Sequence, residues 1–208
     1  DWYEARGAKE GSAEIIGHPR FDQAFQPPTI SRNKFFSQLG LDKNKKTLLL
    51  IVRGNRDVEK WRVLINTISK QLNFNILIKD FPNNPDHPLA KEFPFVHSTQ
   101  SFDLYNILHK VDCVVSYTST VALEAMLCQK AVFILDNEIP SYTGYYDRLG
   151  ELVQKNPKKL GELILKYLNN PDWASYLNEK RKKFINYAYP DVSKSGERLN
   201  KLIKRLTN

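Results

Sequence analysis

Between residues 47 and 135 the chain alternates short aliphatic runs with longer amphipathic stretches, and that rhythm leaves few folds open to it. The runs are Thr47 to Val52, Asn75 to Lys79, Cys113 to Tyr117 and Ala131 to Leu135. They read as continuously buried rather than half-polar, the pattern of strands covered on both faces in a parallel sheet. Weaker strand candidates fall at Ile15, Ile16 and near Phe95 to His97. Between the runs lie helix candidates at Asn33 to Leu39, Val58 to Leu72, Phe102 to His109 and Thr120 to Leu127. In the second of these Val58, Trp61, Leu64, Ile65 and Ile68 share one stripe, which faces the sheet. Strand and helix in alternation predict an α/β fold, a Rossmann-like parallel sheet flanked by helices.

After residue 150 the strand signal fades. Three helices are expected, at Pro157 to Leu168, Asp172 to Tyr187 and Ser193 to Leu206, punctuated by Pro171 and Pro190. Leu199, Leu202, Ile203 and Leu206 recur at helical spacing, so the last helix is expected to bury a face. This segment also carries the charge: residues 151–208 hold 13 basic and 6 acidic side chains, a net of +7 out of +8 for the chain. The run Lys180, Arg181, Lys182, Lys183 reads either as a solvated helical face or as a dock for an anionic membrane surface or acidic partner. No recognised nucleic-acid-binding motif accompanies the charge, so nucleic acid is not expected as a partner.

A chain of 208 residues is too short for a complete two-domain enzyme. Its two cysteines, Cys113 and Cys128, lack both a disulfide framework and metal-ligand spacing, and read as buried thiols of a reducing compartment. The longest apolar runs are strand-length, far short of the roughly 20 residues of a membrane helix. Met126 is the only methionine, so Asp1 is not a natural start and the chain is expected to be processed or part of something longer.

Three places can carry chemistry. The stretch Ser116-Tyr117-Thr118-Ser119-Thr120 follows a buried strand and runs straight into a helix, offering hydroxyls and free backbone N–H groups to a phosphate. Glu124, one turn further in, is placed to accept from ribose hydroxyls; the alternative is that Ser119 or Thr120 merely caps the helix. Arg53-Gly54-Asn55-Arg56 also follows a strand, where Gly54 permits a tight turn and Arg53 a bidentate clamp on phosphate; a plain surface arginine is the alternative. Lys79 ends a third strand at the same edge, either toward the ligand or toward solvent. The Pro-rich loop from Phe81 to Pro88 lies where open α/β sheets bind ligands. Neither the dinucleotide nor the P-loop fingerprint occurs, and His18, His87, His97 and His109 are scattered without ligand spacing, so no metal and no cofactor are expected.

In order, these pieces resemble the C-terminal half of a GT-B glycosyltransferase. Ile15-Ile16-Gly17-His18-Pro19-Arg20-Phe21-Asp22 resembles the "GNPRFD" turn of CDP-glycerol glycerophosphotransferases, UDP-N-acetylglucosamine 2-epimerases and related surface-carbohydrate enzymes. Asp103-Leu104-Tyr105 through Asp112 resembles their "dly.ll..aD" segment, and residues 119–134 resemble "STvaleAlllGkPvi" of capsule polysaccharide transferases. The likeness spans about residues 15 to 136 and rests on order and spacing. It implies a donor-binding half, with Thr118, Ser119 and Thr120 at the donor phosphate, Ser116, Arg53, Asn55 and Lys79 around it, and Glu124 on the ribose. His18 and Arg20 would face the cleft and are the catalytic candidates.

The same resemblance divides the chain into a remnant or linker of an N-terminal half (1–13), a nucleotide-binding domain (14–150) and basic helices packed on it (151–208). The implied partners are a nucleotide-sugar or nucleotide-polyol donor and the missing N-terminal half, in the cytoplasm or at the inner face of the membrane. The implied role is bacterial surface polysaccharide synthesis, in which this piece alone turns over little or nothing. The Ser119 run also resembles, more loosely, the "DYSS" motif of the glycerophosphotransferases, and the sequence departs from the pattern at Phe81-Pro82, where "HP" is usual, at Ser116, where "DYSS" has Asp, and at Gln129-Lys130-Ala131, the "GkP" turn. The Ser-Gly-Gly turn usual in the epimerases is absent from Ser116 to Thr120, which disfavours that alternative. Asp136-Asn137-Glu138 is a weak match to the D-x-D of another glycosyltransferase fold. A non-catalytic nucleotide-binding or membrane-docking module is the remaining reading.

Overall fold

The computed structural model describes residues 4–54, 56–71, 73–137, 144–190 and 193–207. Among them, six strands form one parallel sheet: β1 (Lys46–Ile51), β2 (Phe74–Lys79), β3 (Val96–Ser98), β4 (Cys113–Ser116), β5 (Ala131–Leu135) and β6 (Val153–Gln154). Their order is β3-β2-β1-β4-β5-β6, so the Rossmann-like reading holds. Leu50 of the central β1 is paired with Ile78 on one side and Val115 on the other, and Leu48, Leu49 and Leu50 are wholly buried. Strand order reverses between β1 and β4, and the crevice beyond their C-terminal ends is where such sheets take ligands.

The helices are α1 (Arg32–Leu39), α2 (Val58–Ile68), α3 (Pro88–Glu92), α4 (Leu104–Leu108), α5 (Thr120–Leu127), α6 (Pro157–Asn169), α7 (Pro171–Ala188) and α8 (Ser195–Thr207). Side-chain caps start several of them. Asp103 accepts from the Tyr105 and Asn106 amides at α4, and Asn156 and Asn170 cap α6 and α7, each followed by proline at the first helical position. In α2, Trp61, Leu64, Ile65 and Ile68 are buried as their spacing requires. That helix ends at Ile68 and relaxes into a 3-10 turn over Ser69–Gln71, shorter than expected. Among the described residues no helix is long and apolar enough to cross a membrane.

Ile15 and Ile16 form no strand. Ile15 is 81% exposed, and the Ile16 carbonyl accepts from Arg198 Nε at 2.9 Å rather than from a sheet neighbour. This opening segment leads into a 3-10 turn, Pro19–Phe25, that holds α8. Gly17, at φ +77°, lets the segment lie flat there: a Cβ would sit 2.5 Å from Ser195 Oγ and 2.7 Å from the Tyr189 hydroxyl. The apolar stripe of α8 is only partly covered. Ile203 is 50% and Leu206 74% exposed, so the expectation that this helix buries a full face fails at its outer end.

Asp22 caps α8, accepting from Ser195 N at 3.0 Å and Gly196 N at 2.8 Å. Burial alone raises the Asp22 pKa, but the Gly196 and Ser195 backbone donors, the Ser195 hydroxyl and the Arg198 charge together outweigh it and hold the carboxyl below its ordinary value. Because the folded pKa is lowered, the cap contributes fully above about pH 4 and is lost as pH falls through the lowered value. Protection factors of the first-turn amides of α8, which correct for the intrinsic slowing of exchange in acid, are therefore expected to fall on acidification while those of the β1 amides hold. Asp22→Asn should show the lower protection already at neutral pH.

Candidate functional site

At the strand-order reversal the structure holds a cavity of about 220 Å³. Ile51 of β1, Val52 just after it and Tyr117 just after β4 line it, with Asp80, Phe81 and Pro82 from beyond β2, Leu104 from α4, and Ser119, Thr120 and Val121 from the start of α5. Arg20 reaches the rim from the 3-10 turn, and Lys79 lines the wall from β2.

The β4–α5 turn supplies a helix cap and part of the cavity lining. Ser119 caps α5, its hydroxyl accepting from Val121 N at 3.2 Å, and together with Thr120 it lines the cavity. Ser116 is fully buried behind it, 3.4 Å from the Ser119 hydroxyl. Tyr146 locks the turn by donating to the Ser119 carbonyl at 2.5 Å. Thr118 points elsewhere: its hydroxyl is buried with no partner among the described residues and lies outside the cavity lining.

Arg53 stands exposed at the end of β1, its guanidinium 5.2 Å from the centre of the Phe81 ring and 5.9 Å from that of Tyr117. Burial pushes the Tyr117 phenol up, with the Arg53 charge opposing. The next residue, Gly54, turns at φ +54°, and its peptide is held on both sides. Its N–H donates to Asp80 Oδ1 at 2.8 Å, and its carbonyl lies 2.7 Å from His87 Nε2. Asn55 lies outside the described residues. Asp80 and His87 were not singled out from the sequence. The signal for His87 is its place before Pro88, a cap followed by proline at the first helical position.

Lys79 is buried, and its ammonium donates to the carbonyls of Phe102 at 2.8 Å and of Thr99 and Gln100, each at 3.4 Å. Burial lowers its pKa, with Asp103 opposing. The side chain thus stitches β2 to the loop after β3 and presents its stem, not a free charge, to the cavity.

Glu124 is fully buried inside α5 and lies outside the cavity lining. Neither of its oxygens accepts a hydrogen bond among the described residues; Arg20 Nη2 stands 3.4 Å away. Tyr105 donates to the Arg20 carbonyl at 3.0 Å, and burial, then the Glu124 carboxylate, pushes its phenol up. His18 stacks on Phe21 with ring centres 4.5 Å apart and lies outside the lining.

The basic run on α7 fans out instead of forming one face. Lys180 pairs with Glu151, Lys182 with Glu179, and Arg181 turns inward to donate to the Met126 carbonyl at 3.0 Å. Cys113 and Cys128 are buried free thiols; burial pushes Cys128 up to about 12. Asp136 and Asn137 are buried, with Asn137 donating to Asp57 at 2.8 Å, while Glu138 lies outside the described residues.

No protein-family model matches the chain, and no curated protein matches it by sequence. Solved structures do match. The wall teichoic acid polymerase TagF superposes with a TM-score of 0.63 at 19% identity, over 92% of this chain and 51% of TagF. The C-terminal domain of the group 1 glycosyl transferase LpcC from Francisella tularensis gives 0.57 at 12% identity, over 81% of this chain and 97% of that domain. A chain from Listeria monocytogenes assigned as a UDP-N-acetylglucosamine 2-epimerase gives 0.63 at 16%, over 96% and 54%. These likenesses establish the fold, the Rossmann-like half of a GT-B architecture, as the motif order implied. The chain spans about half the length of TagF.

Proposed function

We propose that this chain is the donor-binding half of a glycosyltransferase or glycerophosphotransferase that uses a nucleotide-activated donor in bacterial surface-polymer synthesis. The observation that carries the reading is the cavity at the strand-order reversal, where Arg20, Lys79, Asp80, Tyr117, Ser119 and Thr120 set polar groups among apolar side chains and Arg53 stands near Tyr117. A diphosphate suits the hydroxyls, the α5 N-terminus and the guanidinium of Arg53, and an apolar wall suits the flat face of a base or sugar. Such donors stabilise the leaving nucleotide phosphate electrostatically as charge develops on it. Glu124 serves the site through Arg20 in this arrangement, because its carboxylate has no opening to the cavity. One TagF structure was soaked with CDPG, which supports a nucleotide donor here. The acceptor side and the base or acid of the transfer are then supplied by the rest of a longer, cytoplasmic protein.

Titration calorimetry with CMP, CDP, UDP and GDP at millimolar concentration tests the reading. One nucleoside diphosphate is expected to bind more tightly than its monophosphate, with affinity falling as salt rises. No heat from any of the four would overturn it.

A further inference from the structure

The clamp on Gly54 has no counterpart in the reading so far. Gly54 is gripped at both ends, at its N–H and at its carbonyl, by side chains from a different part of the chain. Asp80 Oδ1, at the end of β2, accepts from Gly54 N at 2.8 Å and from Phe81 N at 2.7 Å. The Gly54 carbonyl lies 2.7 Å from His87 Nε2. The His87 ring is 3% exposed, and its Nδ1 accepts from Leu89 N at 3.3 Å as the cap of α3. With Nδ1 an acceptor, the proton of the neutral ring sits on Nε2, which makes it the donor to the Gly54 carbonyl.

Both nitrogens of this buried imidazole are satisfied on backbone, so losing the ring would leave the Gly54 carbonyl and the Leu89 amide short of a partner. What it holds is the turn that aims Arg53. Gly54 is in the left-handed region, where a glycine peptide swings freely unless pinned. Among the described residues the adjoining guanidinium rests on the faces of Phe81 and Tyr117. Phe81 is itself fixed through the same Asp80 oxygen. One carboxylate and one imidazole therefore hold the backbone that follows Arg53 and the backbone of Phe81, whose ring Arg53 lies against.

We infer that His87, with Asp80, is a positioning residue that pre-organises Arg53 for the phosphates of the ligand through the two-sided clamp on the Gly54 peptide. The inference rests on the proposed nucleotide site. A pinned cation loses less freedom on binding than a loose one, so the clamp acts on ligand affinity.

Two substitutions separate positioning from simple structural support. In His87→Gln the side-chain amide reaches the place of Nε2 and can still donate to Gly54; in His87→Asn it falls short. With pyrophosphate, CDP, UDP and GDP as probes, His87→Gln is expected to bind within about twofold of the unaltered chain and His87→Asn about tenfold more weakly. In an Arg53→Ala background His87→Asn should add nothing, because the cation it positions is gone. Both variants are checked for folding by their thermal midpoints, and Asp80→Asn, which keeps an acceptor oxygen, is a third variant expected to behave like His87→Gln.

If the unaltered chain binds none of the probes, the nucleotide reading fails. If it binds and His87→Asn binds equally well, or the losses from His87→Asn and Arg53→Ala simply add, the positioning inference fails while the nucleotide reading stands. Should His87→Asn not fold, a His87→Gln variant that folds and loses about tenfold overturns the inference by itself.

Discussion

Replacing Arg53 by alanine is expected to weaken binding of a nucleoside diphosphate by roughly ten- to a hundredfold while leaving the thermal midpoint almost unmoved. The two halves of this expectation have separate causes. Arg53 is exposed, and its folded-state contacts are the faces of Phe81 and Tyr117, so its loss costs the fold about 0.5–1 kcal/mol. Toward a diphosphate it would form charge-assisted hydrogen bonds, worth about 1.5–3 kcal/mol each, which is the stated range in affinity. Arg53→Lys should recover only part of the loss, since an ammonium neither stacks between two rings nor forks onto two oxygens. Calorimetry against salt concentration reads both effects, with a shallower salt dependence for either variant. Equal affinity for alanine and arginine would remove this residue from the site.

The sheet was legible from the sequence because burial on both faces leaves one composition available. Leu48 to Ile51, Ile76 to Ile78 and Val132 to Leu135 are continuous apolar runs, and each lies within a strand. β6 was not legible: two residues, Val153 and Gln154, become a strand only by pairing with Ile134 and Leu135. Ile15 and Ile16 misled for the converse reason, two β-branched residues with no neighbour to pair with. Near the cavity, a helix start located Ser119 and Thr120 in its lining, and a strand end located Arg53 beside the lining residues Phe81 and Tyr117. Side-chain direction was beyond that reasoning. Lys79 lies at the expected edge, yet its ammonium turns to carbonyls of residues 99, 100 and 102, because a buried lysine satisfies its donors on whatever backbone is near. The clamp by Asp80 and His87 spans 26 and 33 residues from Gly54, a pairing that no local pattern announces.

The pairing of Arg20 with Glu124 sets the largest stability effect expected from a residue of this site. Glu124 is 0% exposed and Arg20 55%, with 3.4 Å between them, so the pair is half inside and half at the rim. An exposed ion pair contributes little, but a carboxylate left alone in the core carries its full desolvation cost. Arg20→Ala should therefore destabilise by about 2–3 kcal/mol, somewhat below the 3–5 kcal/mol of a fully buried pair because water can enter where the side chain was. Glu124→Gln removes the charge and should cost only about 1 kcal/mol. The double variant is the decisive measurement: with no charge left to strand, it should be more stable than Arg20→Ala alone, a coupling of at least about 1 kcal/mol in urea unfolding. The same Glu124→Gln variant should bind nucleoside diphosphate several-fold more weakly, since Arg20 then has no counter-ion to hold it at the cavity wall. Additive losses across the four proteins would show that Glu124 is stabilised by something other than Arg20, and the link from α5 to the cavity rim would go with it.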